Sequence, residues 1–566
     1  MVTLYRLSAL CGAILATCVS AQAPPTAIDP NFFPSLTPRD TLTWVDCYDG
    51  FQCARLRVPA DVTHPKRREK VEIAVVKLPA VGGNRTGSVV FSLGGFSASN
   101  TNAVIQIGRD FATLYPNLDV IGIDRRGTGY STPSIRCFPN QEARVNWQRT
   151  APPVLGSSRS ALPAQRARAK RFAQNCARYS GNALKWSGTY PSAVDMYTVM
   201  RAMGDKKISF YGFSSGTHTA QTFAALYPEA VDKFVLDGVV RSDLQYTVSD
   251  DQPSTVVDSE LALDGFFTTC VAAGPEACPF LGNSTTPAQL RRRYEAIDRK
   301  FKRASIPNAP YPPFDYSALH NFVGTALGDS FTFFPQLAGL LAELEAGQAG
   351  PATGAASAII YAEPAPLPPL GIDPPFDLII AGVCMDPSNV GLKNNRDFQR
   401  YLDRMLATSP AVGGIVAQNT LFCSEWKVKP INVFPRKLLS NFCGTKIAGH
   451  ILYISNTADY ITPLDSAIYM KTRFFKNKAT NIIDHAVGHT AISTGALSGN
   501  QGYPSLGVFD IIFRFFNLNQ IPTQGSVYLP DFPPFLAQGA DYAGLLPSGF
   551  GGVVAPAYPI PGKTPQ

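Results

Sequence analysis

The stretch KKISFYGFSSGTHTAQTFAALYPEAV, Lys206–Val231, decides the reading of this chain. An apolar run, ISFYGF, leads without a break into glycine, two adjacent serines and glycine. The following THTAQTFAALYP carries helical periodicity. Gly212–Gly216 therefore matches G-x-S-x-G, with Ser214 in the middle. Such pentapeptides arise by chance, so the match is weak alone, and a plain glycine-serine turn is the competing reading. Its place between a buried strand and a helix strengthens it. In a nucleophile elbow a sharp strand-to-helix turn holds the serine in a strained conformation, and side chains at the flanking glycines would collide with neighbouring backbone. The helix N-terminus behind the turn favours developing negative charge. On this reading Ser215 is no rival nucleophile; its backbone N–H is a natural oxyanion donor.

A serine hydroxyl needs a base, and the base needs an orienting acid. There are six histidines to try: His64, His218, His320, His450, His485 and His489. The elbow implies the chain order serine, acid, histidine. His450 opens a strand candidate and His485 lies inside one. His489, in VGHTAIS, follows a strand end, where a loop can aim its ring at Ser214. His218 comes one helical turn after Ser214 and is expected to be structural. The acid should follow the preceding core strand, and ILYISNTADYITP supplies Asp459 there. Asp465 falls further on, in an expected helix, and Asp484 inside a strand. The second oxyanion donor should come from the turn after an early core strand. VVFSLGGFSAS places Gly94 and Gly95 there, with the Gly95 N–H the preferred donor and Phe96 its alternative. Losing one such donor typically costs about 3 kcal/mol of transition-state stabilisation.

Outward from the elbow, short apolar runs alternate with helical patterns. The strand candidates are 71–78, 88–93, 119–124, 208–213, 233–240, 450–457 and 480–487. Runs apolar on both faces suit a mostly parallel sheet covered by helices, an α/β arrangement. Between Val240 and Gly449 the rhythm breaks into helix candidates, among them TPAQLRRRYEAIDRKFKRA with a threonine cap and an early proline. The chain thus divides into a signal segment (1–21), a loose leader (22–40), the first part of the core (41–240), a largely helical cap (241–449), and the rest of the core with a glycine- and proline-rich tail (450–566).

The first residues, MVTLYRLSALCGAILATCVSAQA, read as a secretory signal: one early charge at Arg6, a short apolar run, and small residues ending at Ala21. The run is too short to span a bilayer, so no membrane anchor is expected. Removing Cys11 and Cys18 leaves nine of the eleven cysteines, and an oxidising compartment makes disulfides the expectation. Close spacing points to Cys47 with Cys53 and Cys270 with Cys278, and Cys137 with Cys176 is a further pair. Cys384, Cys423 and Cys443 then compete, and one stays free. No cysteine pair has zinc-like spacing, and no metal is implied. NRT at Asn84 and NST at Asn283 fit surface glycosylation. The net charge is +8, but the basic residues are scattered, and with the expected secretion this argues against a nucleic-acid platform.

These motifs resemble, in order, those of the tripeptidyl/prolyl aminopeptidase-like family of α/β-hydrolases. CARLRVPADVTHP resembles its C-A-x-x-x-V-P-x-D-x-x-x-P segment, and SLGGFSAS stands where the family has G-G-P-G-x-S-G. DVIGIDRRGTGYS resembles its D-x-R-G-x-G-x-S turn and FYGFSSGTHTAQ its Y-G-x-S-Y-G-T elbow. NTADYITPLDSA and GHT match the aspartate and histidine loops. The resemblance implies an α/β-hydrolase fold with a helical cap and Asp459 as the triad acid; AGVCMD and CSEW imply a Cys384–Cys423 pair. There are two departures: Phe96 replaces the loop proline, and Ser215 replaces the elbow tyrosine. The expected activity is acyl transfer to water by Ser214, His489 and Asp459, without metal or organic cofactor. The substrate would be a peptide with a free N-terminus, whose amine Asp386 or Glu425 would anchor. Two alternatives are an esterase or lactonase acting on small molecules with the same triad, and a secreted binding protein that has lost activity.

Overall fold

In a computed structural model of the protein, the described residues are 29–247, 252–363, 376–386, 390–392, 394–435, 446–475, 478–491, 505–528 and 534–535. The expected signal segment with Cys11 and Cys18, the start of the leader, Cys443 and most of the tail lie outside them. A single sheet holds ten strands: β1 (Val45–Cys47), β2 (Phe51–Pro59), β3 (Lys70–Leu78), β4 (Gly87–Ser92), β5 (Leu118–Ile123), β6 (Ile208–Phe213), β7 (Val231–Asp237), β8 (His450–Ala458), β9 (Ala479–Val487) and β10 (Ser526–Tyr528). They lie in the order β1-β2-β3-β5-β4-β6-β7-β8-β9-β10. β1 to β3 form an antiparallel margin joined to β5, and every pairing from β5 through β4 to β10 is parallel.

All seven strands read from the sequence are present. β2 and the short β1 and β10 were missed. In β2, buried residues are interrupted by the less buried Gln52, Arg55 and Arg57. That is the pattern of an antiparallel strand near the sheet margin rather than of a core strand. β6, by contrast, is buried at all six positions and sits mid-sheet.

Helices cover both faces. Thr189–Ala202, Ser215–Leu226 and Leu464–Arg473 pack on one face through Met196, Phe223 and Met470. Asn100–Ala112 and Leu506–Leu518 cover the other through Val104, Phe111 and Phe515. Between β7 and β8 the described elements are helices. One of them, Pro287–Phe301, starts on a full capping box: Thr286 accepts from the Gln289 N–H, and the Gln289 side chain reaches back, with Pro287 at the first turn. The cap also gathers a piece of chain that precedes the elbow. Phe172, on helix Ala161–Ser180, packs against Phe422 and Trp426 in the same apolar cluster as Leu421. Among the described residues four disulfides join Cys47–Cys53, Cys137–Cys176, Cys270–Cys278 and Cys384–Cys423. Among the described residues no helix is long and apolar enough to cross a membrane.

Candidate active site

β6 delivers Ser214 at the middle of the sheet. The serine has φ +53° and ψ −124°, outside the helical and strand regions, and helix Ser215–Leu226 starts at once behind it. Its N–H donates to the Asp237 carbonyl at 3.0 Å, tying the elbow to the end of β7. The flanking glycines are a steric requirement. A Cβ at Gly216 would lie 2.7 Å from the Ser92 carbonyl oxygen, and one at Gly212 2.3 Å from the Phe210 ring. Ser214 remains partly exposed while Ser215 and the first helical turn are buried.

Asp459 follows β8 and is fully buried. Its Oδ1 accepts from the Ile461 and Thr462 N–H groups at 2.8 and 2.9 Å, and its Oδ2 accepts from the Thr462 hydroxyl at 2.6 Å and the Thr490 N–H at 3.2 Å. The remaining approach is taken by His489, whose Nδ1 lies 2.9 Å from Oδ2. Burial pushes the Asp459 carboxyl upward, but His489 and these donors outweigh it and hold the group below the ordinary aspartate range. Burial pushes His489 down; the facing Asp459 carboxylate, with Asp237 behind it, leaves the imidazole above its ordinary value. An ionised Asp459 fixes the proton on Nδ1, so that Nε2 is the ring nitrogen able to accept one. The His489 side chain keeps 19% of its surface exposed against 0% for Asp459, so the pair opens only on the histidine side.

Ser214 and His489 meet the same corner. Asp237 takes the Ser214 N–H, and a Cβ at the next residue, Gly238, would lie 3.4 Å from His489 Cε1 and 2.6 Å from the Thr490 methyl. Gly238 has φ +68°, so both its conformation and its missing side chain serve this convergence. On the other side of the elbow the Gly94–Gly95 turn rides directly on the backbone. A Cβ at Gly94 would meet the Phe213 carbonyl at 2.4 Å and the Ser215 nitrogen at 3.1 Å.

A family model for the alpha/beta hydrolase fold matches residues 89–496. The chain belongs to this family. It is 32% identical over 196 residues to serine protease Hip1 of Mycobacterium tuberculosis, covering 34% of this chain and 36% of that one. It is 30% identical over 228 residues to tripeptidyl aminopeptidase of Streptomyces lividans, covering 38% and 42%. To carboxylesterase B of Mycobacterium tuberculosis it is 29% identical over 249 residues, covering 44% and 46%. The chain thus spans less than half the length of each of these relatives.

Within this α/β-hydrolase fold several expected site residues already have partners of their own. Phe96 is not a spare oxyanion donor, because its N–H is already given to the Ser215 hydroxyl at 2.6 Å. Among the described residues the N–H groups of Gly95 and Ser215 have no protein acceptor. The two expected amine anchors are both engaged. Asp386 is buried and accepts the Thr189 N–H at 2.7 Å and hydroxyl at 2.6 Å, with His218 3.5 Å away. Glu425 is tied to Arg166 at 2.5 Å. Each carboxylate thus has partners within the protein, Thr189 for Asp386 and Arg166 for Glu425. His450 bonds the Thr480 hydroxyl, and His485 the Thr457 hydroxyl on the neighbouring strand. Asn84 and Asn283 are exposed.

Thr462, Asp237 and Asp258 escaped the sequence reading. The first two hold the corner through contacts between strand ends, and nothing in their spacing marks them. Asp258 accepts the Leu464 N–H at 3.1 Å and is pushed up to about 7, chiefly by burial and further by Asp459 and Asp465.

Proposed function

We propose that this protein is a serine hydrolase in which Ser214 attacks a carbonyl, His489 takes and returns the proton, and Asp459 holds the imidazole in its reactive tautomer. The Gly95 and Ser215 N–H groups receive the oxyanion, and water then releases the acyl group from Ser214. The observation that carries this reading is the strained Ser214 held against the same Asp237–Gly238 corner as the Asp459-paired His489. The serine protease and aminopeptidase among the relatives favour an aminopeptidase cleaving short pieces from free N-termini. The four disulfides favour a secreted protein.

A second reading, hydrolysis of small esters with the same residues, draws on two observations. Asp386 and Glu425 are both engaged within the protein, and carboxylesterase B is matched over 249 residues. One comparison separates the two: kcat/KM for an unblocked peptidyl amide, the same amide N-acetylated, and a butyryl ester. The aminopeptidase reading expects the free amine to be preferred over the blocked one by at least about tenfold. Equal use of both amides, with the ester ahead by a similar factor, would move the assignment to an esterase.

A further inference from the structure

The turn expected to hold the oxyanion contains a residue that should not rest where it does. Phe96 has φ +55°, in the left-handed region that a bulky side chain enters at a cost of about 1–3 kcal/mol. Such strain persists only where the surroundings over-determine it. Both backbone polar groups of Phe96 are held by side chains from other elements. Its N–H donates to the Ser215 hydroxyl at 2.6 Å, and its carbonyl accepts from Arg125 at 3.1 Å. Arg125 also stands 5.8 Å from the Phe96 ring. Its other arm donates to the Thr189 hydroxyl at 2.6 Å, the group that in turn donates to Asp386. From the cap side, helix Phe376–Val383 leaves no slack, since a Cβ at Gly382 would lie 2.8 Å from the Phe96 Cβ.

We propose that Ser215 and Arg125 are positioning residues for oxyanion stabilisation. The Ser215 hydroxyl and the Arg125 guanidinium clamp the two ends of the Phe96 backbone unit, and the strained turn so held keeps the preceding Gly95 N–H aimed over Ser214. Ser215 then acts twice, through its N–H on the oxyanion and through its hydroxyl on the turn. The clamp also joins the turn to the cap, because Arg125, Thr189 and Asp386 form one polar chain ending two residues past the Cys384–Cys423 bridge. This inference rests on the reading of Ser214 as nucleophile. It goes beyond that reading in assigning the geometry of the hole to two side chains that touch no reacting atom.

The test uses p-nitrophenyl acetate as reporter and an alkyl trifluoromethyl ketone, whose hemiketal oxygen occupies an oxyanion hole, as transition-state mimic. Ser215→Ala and Arg125→Ala should each lower kcat about 10- to 100-fold with KM little changed. The inhibition constant of the ketone should rise by the same factor. Ser215→Thr and Arg125→Lys, which keep a hydroxyl and a donor, should recover most of both. A purely structural role would lower the melting temperature without moving the ketone's affinity relative to KM, and that outcome overturns the proposal. Should Ser215→Ala fail to fold, the Arg125→Ala and Arg125→Lys pair decides by the same readouts. Wild-type protein that a fluorophosphonate does not label removes the premise about Ser214. Labelled wild type with unaltered variants overturns this inference alone.

Discussion

Two of the protein's His–Asp pairs, His489–Asp459 at the corner shared with Ser214 and His218–Asp386 near Ser242, behave in opposite ways. His489 and Asp459 meet at 2.9 Å where the strands end, and the imidazole is lifted above its ordinary value. His218 and Asp386 stand 3.5 Å apart, with the Ser242 hydroxyl 2.9 Å from His218 Nδ1. There burial dominates, Arg125 adds to it, and His218 is held below its ordinary value despite Asp386. The exposure differs as well. The second pair has 0% and 2% of its side-chain surface accessible, whereas 19% of His489 is open. Serine, histidine and aspartate in reach of one another are therefore not a catalytic device by themselves. The first pair sets a carboxylate saturated with donors against a partly exposed ring, at the corner shared with a serine forced out of regular backbone geometry. The second is a sealed polar connection between the helix behind the elbow and the cap.

The comparison breaks most sharply on the two serines. Ser214→Ala should lower kcat by about 10⁶-fold. Ser242→Ala should leave kcat within about threefold and cost stability alone, roughly 1–3 kcal/mol for the buried partner left unsatisfied. Paired kinetics and chemical denaturation of the two variants check this. The aspartates follow. Asp459→Asn leaves the shape intact but presents the wrong tautomer, and a loss of about 10⁴-fold in kcat is expected. Next in size is Gly238→Ala. The added methyl would meet the Thr490 methyl at 2.6 Å in a backbone conformation with φ +68°, so Asp459, His489 and Ser214 should lose register by a fraction of an ångström. A drop of about 10²-fold in kcat/KM is expected, with Ser242 and His218 untouched.

The pH dependence sharpens the same contrast. In the proposed mechanism catalysis needs His489 neutral, and its pKa is raised, so the acid limb of kcat/KM should lie above the ordinary histidine value of 6.5. His218 is lowered, so its ring should stay neutral through that limb, as two separate imidazole titrations followed by NMR would show. Their contributions to stability run oppositely. A raised His489 stabilises the fold fully at pH below 6.5 and loses that contribution as pH climbs through its folded value. A lowered His218 resists charging, so stability is lost as pH falls below 6.5. The smallest effect is expected at Asp258. Its carboxyl, pushed up to about 7, destabilises the folded protein as pH rises past 3.8 towards that value. Asp258→Asn should therefore raise the melting temperature at pH 8 and leave it nearly unchanged at pH 4.

Much of the fold was legible because central parallel strands read as continuous apolar runs, and β6 is one such run at every position. β2 was hidden because an antiparallel margin tolerates Arg55 and Arg57 among its buried residues. At the candidate site, chain order singled out Ser214, Asp459 and His489, and each does follow a strand end. That His218 is a buried ring was also readable from its place one turn into the helix. The partners of Asp386 and Glu425 were hidden for a physical reason. A sequence shows a carboxylate but not the Thr189 hydroxyl or the Arg166 guanidinium that reaches it from a distant segment. Phe96 and Ser215 appeared in the sequence as two unrelated departures from the resembled motifs. Only the structure brings the N–H of one onto the hydroxyl of the other.

The account turns on which serine reacts. Wild-type protein treated with a fluorophosphonate, digested and mapped by mass spectrometry should carry one adduct, on Ser214. Labelling should slow as pH falls and His489 takes up its proton. An adduct on Ser215 or Ser242 instead, or no adduct at any pH, would contradict it.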